Sequence, residues 1–410
     1  MYLSRISIQN IRGFKDIDID LARAANSEAP WTTILGDNSS GKTTLLRCIA
    51  MGISGESGAS GLLSDLYGEW LRDPSLAGEI KLEFQVNGNR RKYSVNTVIT
   101  EKFGEYQIAQ TPSKKFPLKK VFMCGYGTGR SILGDTIYET YATVDSVYSL
   151  FVYSSSLQNP ELILRRIKDA GVSKAALLNR VDRILMLPAG STDLGRSGIT
   201  VKEPGGKAIT IGALADAYQA TITLICDLLH WSLLYNQSAF KRGKLKGIVL
   251  IDELEQHLHP VWQRKIIALL RQQFPALQFI VTTHSPLCAS GTADLDDDLY
   301  SFVLLRPDKE RAIHRIDLPP LEGRRADEML TSEAFGLPTS RSVETEKKLR
   351  ELAELETKKR MTPKQKRRYK HILTELKEEA PTAAEYAEDR QVRQQIHELL
   401  EELTKNSCGT

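Results

Sequence analysis

Apolar and polar residues alternate at the start of the chain. Leu3-Ser4-Arg5-Ile6-Ser7-Ile8 and Ile17-Asp18-Ile19-Asp20-Leu21 carry the period of two expected of half-buried strands, and Asn10 to Phe14 turns between them. Glu79 to Val86 alternates again, Asn87-Gly88-Asn89 offers a turn, and Tyr93 to Ile99 answers it, which predicts a hairpin. Other runs are apolar without a break. Trp31 to Leu35 reads as a short strand, and Val121 to Cys124, Ile248 to Ile251 and Phe279 to Val281 read as strands buried on both faces. Leu299 to Leu305 is a further strand.

Helical spacing appears from Thr43 to Ala50, over most of 135–190 with Pro160 opening one helix, and from Ile211 to Tyr235. Gly52 to Gly61 and Gly190 to Gly206 read as loops, and Asn236 to Lys246 as a basic, exposed connector. From about Arg341 the chain becomes charged. Leu349, Leu352 and Leu355, then Val392, Ile396, Leu399, Leu400 and Leu403, lie at helical spacing, and Pro363 and Pro381 divide this tail into about three helices. The pattern predicts an α/β unit over residues 1–325 with a helical insertion near 125–210, followed by a helical appendage over 326–410.

Composition narrows this little. A chain of 410 residues with 41% hydrophobic and 26% charged residues is globular in type, and a net charge of +4 is too small to argue for nucleic acid by itself. The five cysteines lie far apart with no CxxC pair, which suits a reducing compartment and argues against a structural zinc. Met1 to Arg5 lacks the apolar run of a signal peptide. Asp216, Asp227 and His230 interrupt the most apolar long stretch, so a buried helix is expected there rather than a membrane span. The expected location is the cytoplasm.

Strand, glycine loop and helix succeed one another around Gly36-Asp37-Asn38-Ser39-Ser40-Gly41-Lys42-Thr43, followed by Thr44. This fits G-x-x-x-x-G-K-[ST] at every fixed position, and that order aims backbone N–H groups and a helix N-terminus at one point, as phosphate binding requires. Lys42 would reach the β- and γ-phosphates of ATP, and Thr43 would ligate Mg²⁺. The buried run Ile248 to Ile251 delivers Asp252 and Glu253 at its C-terminal end, where open α/β sheets place their sites. Asp252 would hold Mg²⁺ and Glu253 would orient and deprotonate the attacking water. The next buried strand ends in His284, read as a γ-phosphate sensor. His257 and His259 have no third ligand nearby, and Asp294, Asp296, Asp297 and Asp298 read as a solvated turn. Gly125-Tyr126-Gly127-Thr128-Gly129-Arg130 is either a flexible loop or a device that faces Arg130 to the nucleotide or a neighbouring subunit.

With the glycine loop, Asp252-Glu253 and His284 in that order, the chain resembles the ABC-type ATPases of the SMC, RecF and OLD group. Asp252 to Gln263, Phe274-Pro275, Thr282 to Pro286, Gly125 to Arg130 and the region Arg324 to Leu337 are similar to the ATPases of bacterial antiphage defence of the Septu PtuA and retron kind. The resemblance covers about residues 1–340. It implies an ABC-type P-loop head with a mixed sheet and a head-to-head dimer, or a higher oligomer, in which each ATP site is completed by a signature motif of the other head. The matching position here is Leu214-Ala215-Asp216-Ala217-Tyr218-Gln219, where the group has Leu-Ser-Asp-Gly. Ala215 removes a hydroxyl donor and the Ala217 Cβ crowds the approach to the γ-phosphate, so binding with slow hydrolysis is expected.

The resemblance further implies a regulatory subunit controlling an effector nuclease or toxin, expected on a separate protein because no acidic strand set for a nuclease follows His284. The alternative is a RecF-like ATPase of DNA maintenance. Lys358, Lys359, Arg360, Lys364, Lys366, Arg367, Arg368 and Lys370 form a basic block without an acidic residue, which is a solvated face, a phosphate-contacting patch for DNA or RNA, or a docking surface for an acidic partner.

Overall fold

The unbroken apolar runs become central strands because both faces of their sheet are covered. In the computed structural model this sheet has six strands, in the order Ile313–Ile316, Tyr300–Pro307, Trp31–Leu35, Leu277–Thr282, Gly247–Ile251 and Met123–Tyr126. Neighbours are parallel except at the Ile313–Ile316 edge, which returns antiparallel along Tyr300–Pro307, so the sheet is mixed. The structure describes residues 1–379 apart from 22–28, 67, 87–88, 115, 131–133, 136, 197, 203–205, 294, 296–298, 319–320, 322, 325, 338–340 and 358–360. The expected cluster of Asp294, Asp296, Asp297 and Asp298 therefore lies outside the described residues, as does the apolar repeat from Val392 to Leu403.

Successive strand side chains point to opposite faces. Ile34, Met123, Ile248, Leu250, Ile280 and Val303 face one layer, which contains the helix Lys42–Ile53. Trp31, Cys124, Val249, Ile251, Phe279 and Val281 face the other, built by the helices Pro160–Asp169, Lys174–Ile184, Asp216–Tyr235 and Pro260–Gln273. Trp31 and Phe279 stack there with ring centroids 5.0 Å apart. Each such side chain contributes roughly 1.5–3 kcal/mol by leaving water, which fixes the strand register and hence where the strand ends deliver their polar residues.

The two alternating N-terminal runs pair, with Ile8 opposite Ile17. They do not join the glycine-loop sheet. They belong to a separate five-stranded antiparallel sheet, in the order Phe14–Asp20, Tyr2–Ile11, Gly78–Val86, Asn89–Lys102 and Glu105–Pro112. One face of that sheet packs on the core and the other is solvated, which is why these strands alternate. The expected hairpin forms, with Leu82 opposite Val95. The fifth strand was hidden by its polar sequence. Phe103 and Gly104, both at positive φ (57° and 80°), make the tight turn that leads into it.

The insertion departs from expectation in two places. Residues 135–158 hold little regular structure beyond the short helix Thr143–Val147, whereas Pro160 does open a helix, capped by the Asn159 side chain on Glu161 and Leu162 N–H. The Gly190–Gly206 stretch contains the strands Thr192–Gly195 and Gly198–Lys202, which form a three-stranded sheet with Ala208–Thr210. Leu194, Ile199 and Val201 anchor it in the core, a burial that outweighs the turn-forming composition around them. The Ile211–Tyr235 periodicity resolves into a turn at Ile211–Ala213 and the helix Asp216–Tyr235.

A buried polar chain ties that helix to the sheet edge. Tyr126 Oη donates to Asp227 Oδ2 (3.0 Å), Gln158 Nε2 donates to Asp227 Oδ1 (2.9 Å), and Gln158 Oε1 meets His230 Nδ1 (2.9 Å). Burial pushes the Asp227 carboxyl up to about 6 and pulls His230 down to about 4.

The chain divides into two compact units, Met1–Gly336 and Leu337–Thr410. The division lies beyond residue 325 because the helix Ala326–Leu330 buries Met329 with Leu35, Leu304 and Leu321 in the first unit. In the second unit the helices Val343–Glu356 and Pro363–Glu379 enclose a small core of Leu352, Ile372 and Leu376. Pro363 opens its helix as the sequence predicted. No helix among the described residues is long and apolar enough to cross a membrane.

Candidate functional site

Trp31–Leu35 runs straight into the glycine loop, and Lys42 begins the next helix. The loop bends through Gly36 (φ 148°), Ser39 (φ 64°) and Gly41 (φ 87°). A Cβ on Gly41 would lie 2.5 Å from Ile313 Cδ1 and 2.8 Å from Phe14 Cζ, so both backbone conformation and space call for glycine there. Gly41→Ala is therefore expected to cost about 1–3 kcal/mol of stability, read as a lowered Tm; an unchanged Tm would mean that the loop is not held as described.

Lys42 is buried, and its Nζ donates to Gly36 O (2.8 Å) and Asp37 O (2.9 Å). Desolvation pulls its ammonium below the usual lysine value, opposed by the charges of Asp252, Glu253, Glu255 and Asp37. The lysine is thus stored across the loop on neutral carbonyls, from which a polyanion could draw it.

The neighbouring strands end at the same place. Thr43 Oγ1 donates to Asp252 Oδ2 (2.7 Å), and Thr282 Oγ1 donates to Asp252 Oδ1 (2.6 Å). Thr282 Oγ1 in turn accepts from the Glu253 N–H (2.7 Å). Glu253 follows in a left-handed conformation (φ 48°) and is half-buried. The His284 N–H donates to Glu255 Oε1 (2.6 Å), while Glu255 Oε2 is buried without a hydrogen-bond partner.

A cleft of about 1070 Å³ joins these groups. Asn38, Ser39, Ser40, Gly41, Lys42, Thr43 and Thr44 line it together with Asp252, Glu253 and His284. Gly36 and Asp37 act through their carbonyls on Lys42 and do not line it. Three arginines that sequence reading did not single out also line it. Arg12 stands over the Trp70 ring (4.6 Å), Arg72 donates to Gly13 O and Glu310 O (3.3 and 3.1 Å), and Arg311 stands beside them. Arg12 sits in the turn between two predicted strands, but only the meeting of separate sheets reveals that Arg72 and Arg311 share its cleft.

The residues present fit a magnesium–triphosphate. The hydroxyl of Thr43 and the carboxylate of Asp252 are the hard oxygen donors that magnesium takes, alongside phosphate. The buried Ser40 hydroxyl lines the cleft with no hydrogen-bond partner. Among the described residues no group of three or more His, Cys, Asp or Glu could hold a metal. His259 caps the helix Pro260–Gln273 on the Val261 N–H instead, and His257 is exposed.

Arg130 does not face the cleft or the outside. It is 3% exposed and, among the described residues, its guanidinium bonds inward to backbone carbonyls. Ala215, Asp216 and Ala217 do not line the cleft either. Ala215 is the exposed N-cap of Asp216–Tyr235, with no side-chain cap, and Asp216 and Ala217 form the first turn. In the second unit Lys364, Lys366, Arg367 and Lys370 are exposed on the helix Pro363–Glu379, while Arg368 makes a two-pronged ion pair with Glu351 (2.8 and 2.9 Å). Lys358, Lys359 and Arg360 lie outside the described residues.

An AAA domain model matches residues 5–187, and a second AAA-domain model matches 159–290. The Septu protein PtuA of Bacillus mycoides is 28% identical over 82% of this chain and 45% of its own length. The retron Vc95 probable ATPase of Vibrio cholerae is 30% identical over 37% of this chain and 29% of its own, and the retron Ec83 probable ATPase of Escherichia coli 40% identical over 19% and 15%. The chain thus spans less than half the length of these relatives. The SMC head domain from Thermotoga maritima aligns over 78% of the chain at 14% identity, with a TM-score of only 0.44. The chain is similar in sequence to the Septu PtuA proteins and the retron ATPases, and its fold is α/β with a mixed six-stranded sheet that carries the glycine loop.

Proposed function

We propose that the Met1–Gly336 unit binds ATP with Mg²⁺ in this cleft and hydrolyses it slowly, as the nucleotide-gated regulatory subunit of a bacterial antiphage complex that controls a separate effector nuclease or toxin. The observation that carries the ATPase reading is the unbroken chain from Thr43 through Asp252 and Thr282 to Glu253 at the mouth of the glycine loop. Loop N–H groups and Lys42 hold the β- and γ-phosphates. Thr43 and Asp252 would hold the magnesium ion, which when bound would supply charge neutralisation to the phosphates. Glu253 orients the attacking water and takes its proton, and His284 hydrogen-bonds the γ-phosphate.

Slow turnover follows from the signature segment. Ala215, Asp216 and Ala217 lie away from their own cleft, as a segment acting on a second copy would, and the Ala215 side chain offers no donor. Restoring the hydroxyl and the open backbone with A215S/A217G is expected to raise kcat by about tenfold, from one added donor to the γ-phosphate. No rise in phosphate release would count against this segment as the trans element.

The regulatory reading rests on the likeness to the Septu and retron ATPases. A DNA-clamping ATPase is the second reading, supported by the exposed Lys364, Lys366, Arg367 and Lys370. Phosphate release and binding measured with and without duplex DNA separate the two. The regulatory subunit keeps its turnover unchanged, whereas the clamp binds DNA only with ATP, with a salt slope that falls when the four charges are neutralised.

A further inference from the structure

We infer that Arg130 is a positioning residue for Glu253, and that Gly125 to Arg130 is the loop that delivers it. This rests on the ATPase reading above. The side chain is 3% exposed, and its guanidinium donates to Asp252 O (2.5 Å), Glu253 O (2.6 Å), Gly127 O (3.3 Å) and Leu254 O (3.4 Å). Two of these carbonyls flank the Glu253 side chain, in a residue held at φ 48° where an L-amino acid is disfavoured. Such a turn persists only where its surroundings over-determine it. Arg130 grips it from one side and the Thr282 hydroxyl from the other, through the Glu253 N–H.

The glycines explain how the arginine arrives. A Cβ on Gly127 would lie 2.0 Å from Ser149 O, and one on Gly129 would lie 1.9 Å from Tyr153 O. The loop therefore threads against the 149–153 backbone at a distance only glycine permits, and carries Arg130 from the strand Met123–Tyr126 under the turn. Burial pulls the guanidinium down to about 10, opposed by Glu255, Asp252 and Glu253, so it remains a cation at neutral pH. Its planar fork presents five N–H donors spread over three nitrogens in a fixed geometry, whereas a lysine ammonium presents three from a single point and cannot reach the same spread of carbonyls.

The test compares full-length wild type, R130K and R130Q by phosphate release, by equilibrium binding of a fluorescent ATP analogue with Mg²⁺, and by Tm. Positioning predicts that kcat falls about 10- to 100-fold while analogue affinity stays within about threefold. It also predicts that R130K adds no further loss on top of E253Q, because both act through one group. Unchanged kcat in either folded variant would overturn the inference. So would a parallel loss of affinity and turnover, or additive losses with E253Q, since these mark a structural role. If one variant does not fold, the other carries the same comparison. If wild type itself neither binds nor hydrolyses ATP, the ATPase reading fails, an outcome separate from either of these.

Discussion

Lys42→Ala lowers kcat/KM for ATP hydrolysis by about 10³-fold, with most of the loss in binding. The ammonium already lies inside the loop, on Gly36 O and Asp37 O, so it need only turn toward an arriving γ-phosphate rather than cross solvent. Burial lowers the pKa of this ammonium, so the group is already partly desolvated before a phosphate arrives. Alanine leaves the loop bend intact, since Gly36, Ser39 and Gly41 set it. The folded variant should then show a wild-type Tm in the absence of ATP and little or no gain on adding ATP with Mg²⁺. A normal ATP-dependent Tm gain in K42A would contradict the assignment.

Glu253→Gln separates chemistry from binding. The carboxylate stands at the mouth of the cleft beside Asp252 and His284, while its backbone is held by Thr282 and Arg130. Glutamine keeps the shape and the backbone bonds but cannot take a proton. General-base contributions of about 10²–10⁴-fold set the expected loss in kcat, with ATP affinity unchanged or tighter. Single-turnover phosphate release checks this, and turnover within about tenfold of wild type would remove Glu253 from the role of base.

The centre of this site was legible because its residues follow elements of strong pattern. Asp252 and His284 follow the ends of apolar strands and Lys42 closes the glycine loop that follows a third, and parallel pairing in register brings those strand ends together. What the sequence concealed depends on long-range packing. Arg130 lies in a glycine-rich stretch that looks mobile, yet its glycines permit close backbone packing and its arginine points inward. Glu255 belongs to the same acidic run as Asp252, but only the structure pairs it with the His284 N–H. The strands of 192–202 and Glu105–Pro112 were masked by polar or glycine-rich composition, and tertiary burial or a two-residue turn decided them. The division of the two N-terminal strands into a different sheet follows from solvation of one face, which alternation signals, but chain order does not reveal it.

The measurement that tests the central claim most directly is the mass of the protein in solution with and without ATP and Mg²⁺, with phosphate release followed in the same samples and K42A as control. The account predicts an ATP-stabilised assembly of heads with little turnover, absent in K42A. Monomers that dimerise on ATP, hydrolyse it briskly and speed up with DNA would contradict the regulatory reading, and identical masses and phosphate release in wild type and K42A would contradict the nucleotide site itself.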